Sequence, residues 1–122
     1  MKQFFQAIDY IEANLDREIL LADVAAAACY SEYHFCRMFR ALVGETVAGY
    51  ARKRRLSLAA ERILHEDVRL IDLAFDSGFE SQASFTRAFK RMFGITPGAL
   101  RRTSRPVRHQ YRPVFTPELL NH

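Results

Sequence analysis

Side chains suited to nucleic-acid binding recur on one face of a helical segment around residue 35. Tyr33 and Arg37 each lie about 160° around the helix from the apolar Phe35, at the helical period of about 100° per residue. Arginine presents paired N–H donors that fit O6 and N7 of guanine, and a tyrosine ring can contact the thymine methyl group. The pattern favours a helix that reads base edges in the DNA major groove.

A second segment repeats the first with a constant offset of 50 residues. Arg87 matches Arg37, and Ala83 and Thr86 take the outward directions of Tyr33 and Cys36. Gln82 adds a side-chain amide of the kind that pairs with adenine. Hydroxyls and cations beside these helices suit phosphate contacts, which position a protein without specifying sequence. The candidates for phosphate contacts are Ser31, Arg40, Ser81, Lys90 and Arg91.

The charge is distributed unevenly along the chain. The sequence of 122 residues carries 18 Lys and Arg against 14 Asp and Glu, a net charge of +4. Residues 1–36 hold two basic and six acidic side chains, whereas residues 85–112 hold eight basic side chains and no acidic one. Clustered arginine and lysine indicate a nucleic-acid surface, although a solvated basic face gives the same count.

The elements that must position these side chains are helices. Apolar residues recur at helical spacing along the chain, and no segment alternates as a strand does. We expect an all-α fold of about seven helices. Ser31 and Ser81 are typical N-caps, and Gly44 and Gly94 are typical helix ends. The expected buried faces contain Phe4, Ile8, Ile11, Leu15, Leu21, Val24, Ala25, Ala28, Phe35, Met38, Phe39, Leu42, Ile71, Ala74, Phe75, Phe85, Ala88, Phe89 and Met92.

A long helix from Thr46 to about Leu64 is expected to serve two small cores in turn, because its apolar residues change face partway. Each repeat has the outline of a helix-turn-helix. The predicted organisation is a first helix-turn-helix subdomain over 1–45, a connector helix over 46–64, a second helix-turn-helix subdomain over 65–103, and a basic, proline-containing tail over 104–122.

The sequence resembles the AraC/XylS family of bacterial transcription regulators over residues 5–102. In the first half the resemblance rests on Asp23-Val24-Ala25, Tyr30-Ser31, His34-Phe35, Arg37-Met38-Phe39-Arg40, Gly44, Tyr50, Arg54-Arg55-Leu56 and Ala60. In the second half it rests on the family's signature region, with Ile71-Asp72-Leu73-Ala74, Gly78-Phe79-Glu80-Ser81-Gln82, Phe85-Thr86-Arg87-Ala88-Phe89-Lys90, Phe93-Gly94 and Thr96-Pro97.

The resemblance implies a sequence-specific regulator that binds double-stranded promoter DNA and activates transcription through RNA polymerase. Its two recognition helices, at about 32–43 and 82–93, would enter successive major-groove segments. The base-reading positions that carry over from the family are Tyr33, Cys36, Arg37, Gln82, Ala83, Thr86 and Arg87.

Three residues depart from the family pattern. Cys29 stands in the first turn where glycine is usual, so that turn is expected to be strained or differently shaped. Ala83 offers a base only a methyl contact, which shifts reading in the second unit to Gln82 and Arg87. Leu100 replaces a common aromatic residue before Arg101, and we interpret it as a packing substitution.

Enzymatic and metal-dependent functions find no support in the sequence. Cys29 and Cys36 do not form a metal pair, the four histidines are scattered, and no acid–base pair is recognisable. We therefore expect no enzyme activity, metal or other cofactor. Cys36, near a helix N-terminus and Arg37, has the setting of a redox-sensitive thiol, but a plain thiol is the favoured interpretation.

One non-enzymatic alternative remains open, a helical adaptor whose basic face binds an acidic protein and which has no preference among DNA sequences. The sequence contains no apolar run long enough for a membrane span and no signal-peptide pattern, which predicts a cytoplasmic protein. Two organisations stay open, a single DNA-binding unit that acts alone and the DNA-binding part of a longer regulator with an effector-binding domain. The start at Met1 and the linker-like tail 105–122 favour the second.

Overall fold

The computed structural model describes residues 2–103, which fold into helices without any strand in that range. This confirms the all-α prediction. The tail predicted over 104–122 lies outside the described residues. The seven helices are α1 (Lys2–Ala13), α2 (Leu21–Ala27), α3 (Glu32–Val43), α4 (Val47–His65), α5 (Leu70–Asp76), α6 (Gln82–Phe93) and α7 (Pro97–Thr103).

The described residues form two compact units, 2–52 and 53–103, and the division falls within α4. Each unit has a hydrophobic core of its own. Tyr50 and Ala51 of α4 belong to the first core, whereas Leu56 and Ala60 of the same helix belong to the second. The predicted change of face along this helix is therefore confirmed.

Aromatic rings at the same register fill both cores. In the first unit the ring centroid of Phe39 lies 5.6 Å from that of Phe35 and 5.9 Å from that of Tyr50. In the second unit the centroids of Phe85 and Phe89 are 5.7 Å apart. Large buried rings dominate the hydrophobic free energy of small cores, so these residues fix the inward faces of α3 and α6.

The turns before α3 and α6 have the same backbone. The amide of Tyr30 donates to the Ala25 carbonyl at 3.0 Å, and the amide of Phe79 donates to the Ala74 carbonyl at 3.0 Å. Both are Schellman-type helix ends, which need a left-handed residue just before the donor. Gly78 fills that position with φ 87° and Cys29 with φ 62°.

The turn at Cys29 was expected to be either strained or differently shaped, and the structure shows the strained conformation. Cys29 is the one non-glycine residue at positive φ among residues 2–103. A residue with a Cβ atom pays about 1–2 kcal/mol in the left-handed region, because Cβ crowds the following carbonyl oxygen. The first unit therefore keeps the turn at a cost in free energy of folding that the second unit avoids.

Three residues predicted to be buried are exposed. Leu42 is 40% exposed, Ile71 40% and Phe75 55%. In α5 the buried stripe is instead Leu73 and Ala74, with Leu70 packed against them. Leu70, Leu73 and Ala74 have the same i, i+3, i+4 spacing as the predicted set, so periodicity alone did not choose between the two faces.

The last described helix, α7, closes the second core. Thr96 caps it by accepting from the Ala99 amide at 3.1 Å, and Pro97 occupies its first position, as the sequence predicts. Leu100 is fully buried among the residues of the second core. This agrees with the interpretation of Leu100 as a packing substitution.

Candidate nucleic-acid interface

The two candidate recognition helices, α3 and α6, begin with a serine hydroxyl. Ser31 Oγ accepts from the His34 amide at 3.2 Å, and Ser81 Oγ accepts from the Ser84 amide at 3.1 Å. Each bond satisfies an N–H that the first turn of a helix would otherwise leave unpaired. The serines thus hold the N-terminal turn, from which a recognition helix presents its base-reading residues.

The cap of α6 has one further bond that the sequence analysis missed. Ser84 Oγ accepts from the Ser81 amide at 3.3 Å, which completes a reciprocal capping box. In the usual capping box a Glu or Gln stands three residues after the cap, and here Ser84 takes that place. The spacing of Ser81 and Ser84 was therefore the sequence signal for this bond, although it is weaker than the usual one.

Glycines in the left-handed conformation end both helices. Gly44 has φ 86° and donates its amide to the Arg40 carbonyl, and Gly94 has φ 77° and donates to the Lys90 carbonyl. The helices therefore have the same start, the same end and the same length of 12 residues.

The exposed face of α3 brings two candidate base readers into direct contact. Nη1 of Arg37 donates to Oη of Tyr33 at 2.8 Å, and the guanidinium carbon lies 5.5 Å from the centroid of the tyrosine ring. Tyr33 is 65% exposed despite its large ring. Cys36 and Arg40 are also exposed on this helix. This face carries a hydroxyl, a thiol and two guanidinium groups with no apolar cover.

The exposed face of α6 carries the second set of candidates. Most of its candidate residues are exposed, while Thr86 is half-buried. The exposed ones are Gln82, Ala83, Arg87, Lys90 and Arg91. Exposure of this kind is necessary for a contact with DNA, and the assignment of each residue to a base or a phosphate stays a prediction.

The charges of the two helices differ although their backbones match. The first turn of α3 contains Glu32, whereas that of α6 contains no acidic residue. Arg40 lies in the last turn of α3, and Lys90 and Arg91 lie in that of α6, where cations also interact favourably with the helix dipole. The recognition-helix candidate of the second unit therefore carries the larger positive charge.

Two arginines of α4 support the helix-turn-helix of the second unit. Arg62 forms ion pairs with Asp76 at 3.1 Å and with Glu66 at 3.2 Å, and these bonds raise the pKa of Arg62 above its ordinary value. Partial burial lowers the pKa of Arg55, whose Cδ would lie 3.8 Å from a Cβ atom at residue 78. Arg62 thus connects α4 to the C-terminal end of α5, and Arg55 lies beside the turn that follows it.

A third arginine anchors α7. Nη2 of Arg101 donates to the backbone carbonyl of Val68 in the segment between α4 and α5. The positions of Arg55, Arg62 and Arg101 could not be predicted from the sequence, because a count of basic residues does not separate arginines that bind backbone or carboxylates from arginines that face solvent.

Cys29 and Cys36 are free and exposed. Within residues 2–103 no group of three His, Cys, Asp or Glu side chains is placed to hold a metal ion. None of the helices in that range is long and apolar enough to span a membrane.

Sequence comparison finds relatives among transcription regulators. A family model described as a helix-turn-helix domain matches residues 24–103. The uncharacterised HTH-type transcriptional regulator YbfP of Bacillus subtilis is 44% identical over 96 residues, which are 79% of this chain and 32% of YbfP. The HTH-type transcriptional activator AarP of Providencia stuartii is 37% identical over 92 residues, which are 75% of this chain and 68% of AarP. The chain thus spans about a third of YbfP and two thirds of AarP.

Structural comparison finds the same fold in solved proteins. A probable AraC family transcriptional regulator from Rhodopseudomonas palustris has a TM-score of 0.77 at 25% identity and covers 87% of this chain and 100% of its own. The DNA-binding domain of the global transcriptional factor AdpA, solved in complex with a target DNA, has a TM-score of 0.69 at 27% identity. That alignment covers 88% of this chain and 97% of the AdpA chain.

Proposed function

Because the chain belongs to the AraC family of helix-turn-helix transcription regulators, we propose that it regulates transcription by binding a specific double-stranded DNA sequence. The observation that carries the proposal is the pair of helices α3 and α6. Each begins at a capping serine, ends at a left-handed glycine, buries phenylalanines at two matching positions and exposes an arginine at a third.

In this mechanism each recognition helix enters a major-groove segment with its N-terminal turns. The groove is about 12 Å wide and admits one helix. Arg37 and Arg87 donate two hydrogen bonds to a guanine, and Gln82 pairs with an adenine. The other base-reading positions are Tyr33, Cys36, Ala83 and Thr86.

The phosphate contacts orient the two helices and supply affinity without selectivity. Arg40, Lys90 and Arg91 would neutralise phosphates, which releases bound counterions and makes the affinity fall with salt. The Ser31 and Ser81 hydroxyls lie at helix N-termini, where the helix dipole favours an anion. Most of the salt dependence should come from the second unit, which has the larger share of exposed basic side chains on its recognition helix.

The proposal also includes the direction of regulation and the further partners of the chain. AarP is a transcriptional activator by name, and it matches this chain over most of its own length. We propose activation through a contact with RNA polymerase. Since the chain spans about a third of YbfP, we also propose that it is the DNA-binding part of a longer, effector-responsive regulator, in the cytoplasm and without enzymatic activity.

The test is a selection of bound duplexes from a random DNA pool, followed by titration of the selected duplex and of a scrambled duplex at several salt concentrations. We expect a recurrent sequence bound far more tightly than the ~10⁻⁴–10⁻⁶ M typical of non-specific contacts. A double variant with Arg37→Ala and Arg87→Ala serves as the matched control and should lose the preference while it keeps its fold. If the pool yields no recurrent sequence and an acidic protein surface binds better than DNA, the helical adaptor is the correct alternative.

A further inference from the structure

Tyr33 and Arg37 form a contact that is complete without DNA. The hydroxyl of Tyr33 accepts from Nη1 of Arg37 at 2.8 Å, and the guanidinium carbon lies 5.5 Å from the ring centroid, within cation–π range. Both side chains are exposed, and the two residues lie one helical turn apart on α3. A long, flexible side chain is thus held by two different interactions at a place where it faces solvent.

We propose that Tyr33 is a positioning residue that holds the guanidinium of Arg37 in the orientation in which it reads its base pair. This inference rests on the proposed function and adds to it a cause for base preference in the first unit. In this role Tyr33 acts through Arg37. The base preference does not require a direct contact between Tyr33 and a thymine methyl group.

The chemistry of the guanidinium permits both contacts at once. Arginine has five N–H donors in a rigid, planar fork, and the bond to Tyr33 uses one of them. The remaining donors suffice for the two bonds to O6 and N7 of guanine. A neutral hydroxyl acceptor keeps the full positive charge of Arg37 available to DNA, whereas a carboxylate partner would cancel it.

Holding the side chain before binding increases affinity for the correct base. Immobilising a side chain with many rotamers on binding carries an entropic cost, and a preformed contact removes part of this cost. The gain corresponds to about 2- to 10-fold in the equilibrium constant. It applies to the duplex that the held orientation fits, so it appears as discrimination at one base pair.

The second unit provides the internal contrast. Arg87 matches Arg37, and Ala83 stands at the position of Tyr33. A methyl group neither accepts a hydrogen bond nor presents a ring to a cation. Arg87 therefore lacks this support from the matching position of its helix.

The experiment is a double-mutant cycle on the selected duplex with Tyr33→Phe, Arg37→Ala and the combination. Tyr33→Phe removes the hydroxyl and keeps the ring. The readouts are the discrimination among the four base pairs at the position where Arg37→Ala loses its preference, the discrimination at the positions of α6, and the urea midpoint. We expect Tyr33→Phe to reduce discrimination at the Arg37 position about 2- to 10-fold, with the α6 positions and the midpoint unchanged. In the Arg37→Ala background Tyr33→Phe should leave the affinity for the selected duplex unchanged.

Each contrary result has a distinct meaning. Unchanged discrimination in Tyr33→Phe overturns the positioning role and leaves the proposed function intact. An equal loss of affinity for the selected duplex in the wild-type and Arg37→Ala backgrounds also overturns it, because the hydroxyl would then act on DNA directly. If the wild-type chain discriminates at no position, the proposed function itself fails before the cycle begins.

Discussion

The two units share a backbone plan and differ in the side chains placed on it. Both have a Schellman-type turn, a serine-capped helix of 12 residues and a left-handed glycine at its end. Residues 2–52 contain five basic and seven acidic side chains, whereas residues 53–103 contain ten basic and six acidic ones. The backbone hydrogen bonds of caps and turns set the shape, and the surface charge varies independently of it.

This difference suggests a division of work between the units. The first unit has the arginine that is held in place, on a helix with Glu32 in its first turn. The second unit has the capping box and the run of Arg87, Lys90 and Arg91 on a helix whose first turn has no acid. We expect base discrimination to depend more on the first unit and sequence-independent affinity more on the second. Four pairs of variants compare the two units.

The largest effect is expected from the two central rings of the cores. Phe39 and Phe89 are both buried at matching positions, so Phe39→Ala and Phe89→Ala should each reduce the free energy of unfolding by about 3–5 kcal/mol. Urea denaturation measures the loss, and amide hydrogen exchange locates it in α3 or in α6. An unchanged urea midpoint for either variant would mean that the inward face of that helix is assigned wrongly.

The next effect concerns the two arginines at the matching reading positions. Arg37→Ala and Arg87→Ala should each weaken binding to the selected duplex by about 1–3 kcal/mol and relax the preference at one base pair. We expect the larger loss of discrimination for Arg37, because its orientation is fixed before binding. Titration of duplexes with single base-pair changes measures both. An equal loss on every duplex would reassign the arginine to the phosphate backbone.

The turns should respond in opposite directions. Gly78→Ala should destabilise the protein by about 1–2 kcal/mol, because alanine is strained at φ 87°. Arg55, whose Cδ is the nearest atom to the new Cβ at 3.8 Å, leaves room for it. Cys29→Gly should instead stabilise the protein, by about 0.5–1 kcal/mol, since glycine adopts this conformation freely but loses more entropy on folding. Thermal melting of the two variants side by side gives the comparison, and a stabilising Gly78→Ala would refute the strain at these turns.

The smallest effect in free energy is expected from Lys90, but it has a clear signature. Lys90→Ala should weaken the selected and the scrambled duplex alike and should reduce the slope of log affinity against log salt by about one unit. Arg40→Ala is the matched variant of the first unit. Titrations between low and moderate salt give the slope for each of the two variants. An unchanged slope for Lys90→Ala would exclude its phosphate contact.

Much of the fold could be predicted from local signals. The bounds of α3 and α6 follow from Ser31, Gly44, Ser81 and Gly94, since caps act through bonds within a few residues. The inward face of α5 could not be predicted from its own sequence, because this short helix offers two equivalent apolar stripes. The repeat contains the missing signal, because Leu70, Leu73 and Ala74 match Leu21, Val24 and Ala25 of α2 at an offset of 49 residues.

The candidate site was predictable in outline and not in its contacts. Helical geometry places Tyr33 and Arg37 on the outward face, and both are exposed. Their hydrogen bond depends on the rotamers of two long side chains, which the spacing permits but does not select. In the same way Arg55, Arg62 and Arg101 count as positive charges in the sequence, and only the folded chain shows what each of them contacts.

The caps of the two recognition helices have a consequence for how binding preference can diverge. Each helix is closed by groups that lie off its reading face, a serine hydroxyl before it and a glycine backbone after it. The reading positions can therefore be exchanged without lengthening, shortening or unwinding the helix. Because both repeats have these caps, each can carry its own target preference while the residues that form the helix stay the same. Cys29 shows the opposite situation. It lies in the turn that shapes the unit, and its left-handed conformation costs free energy of folding.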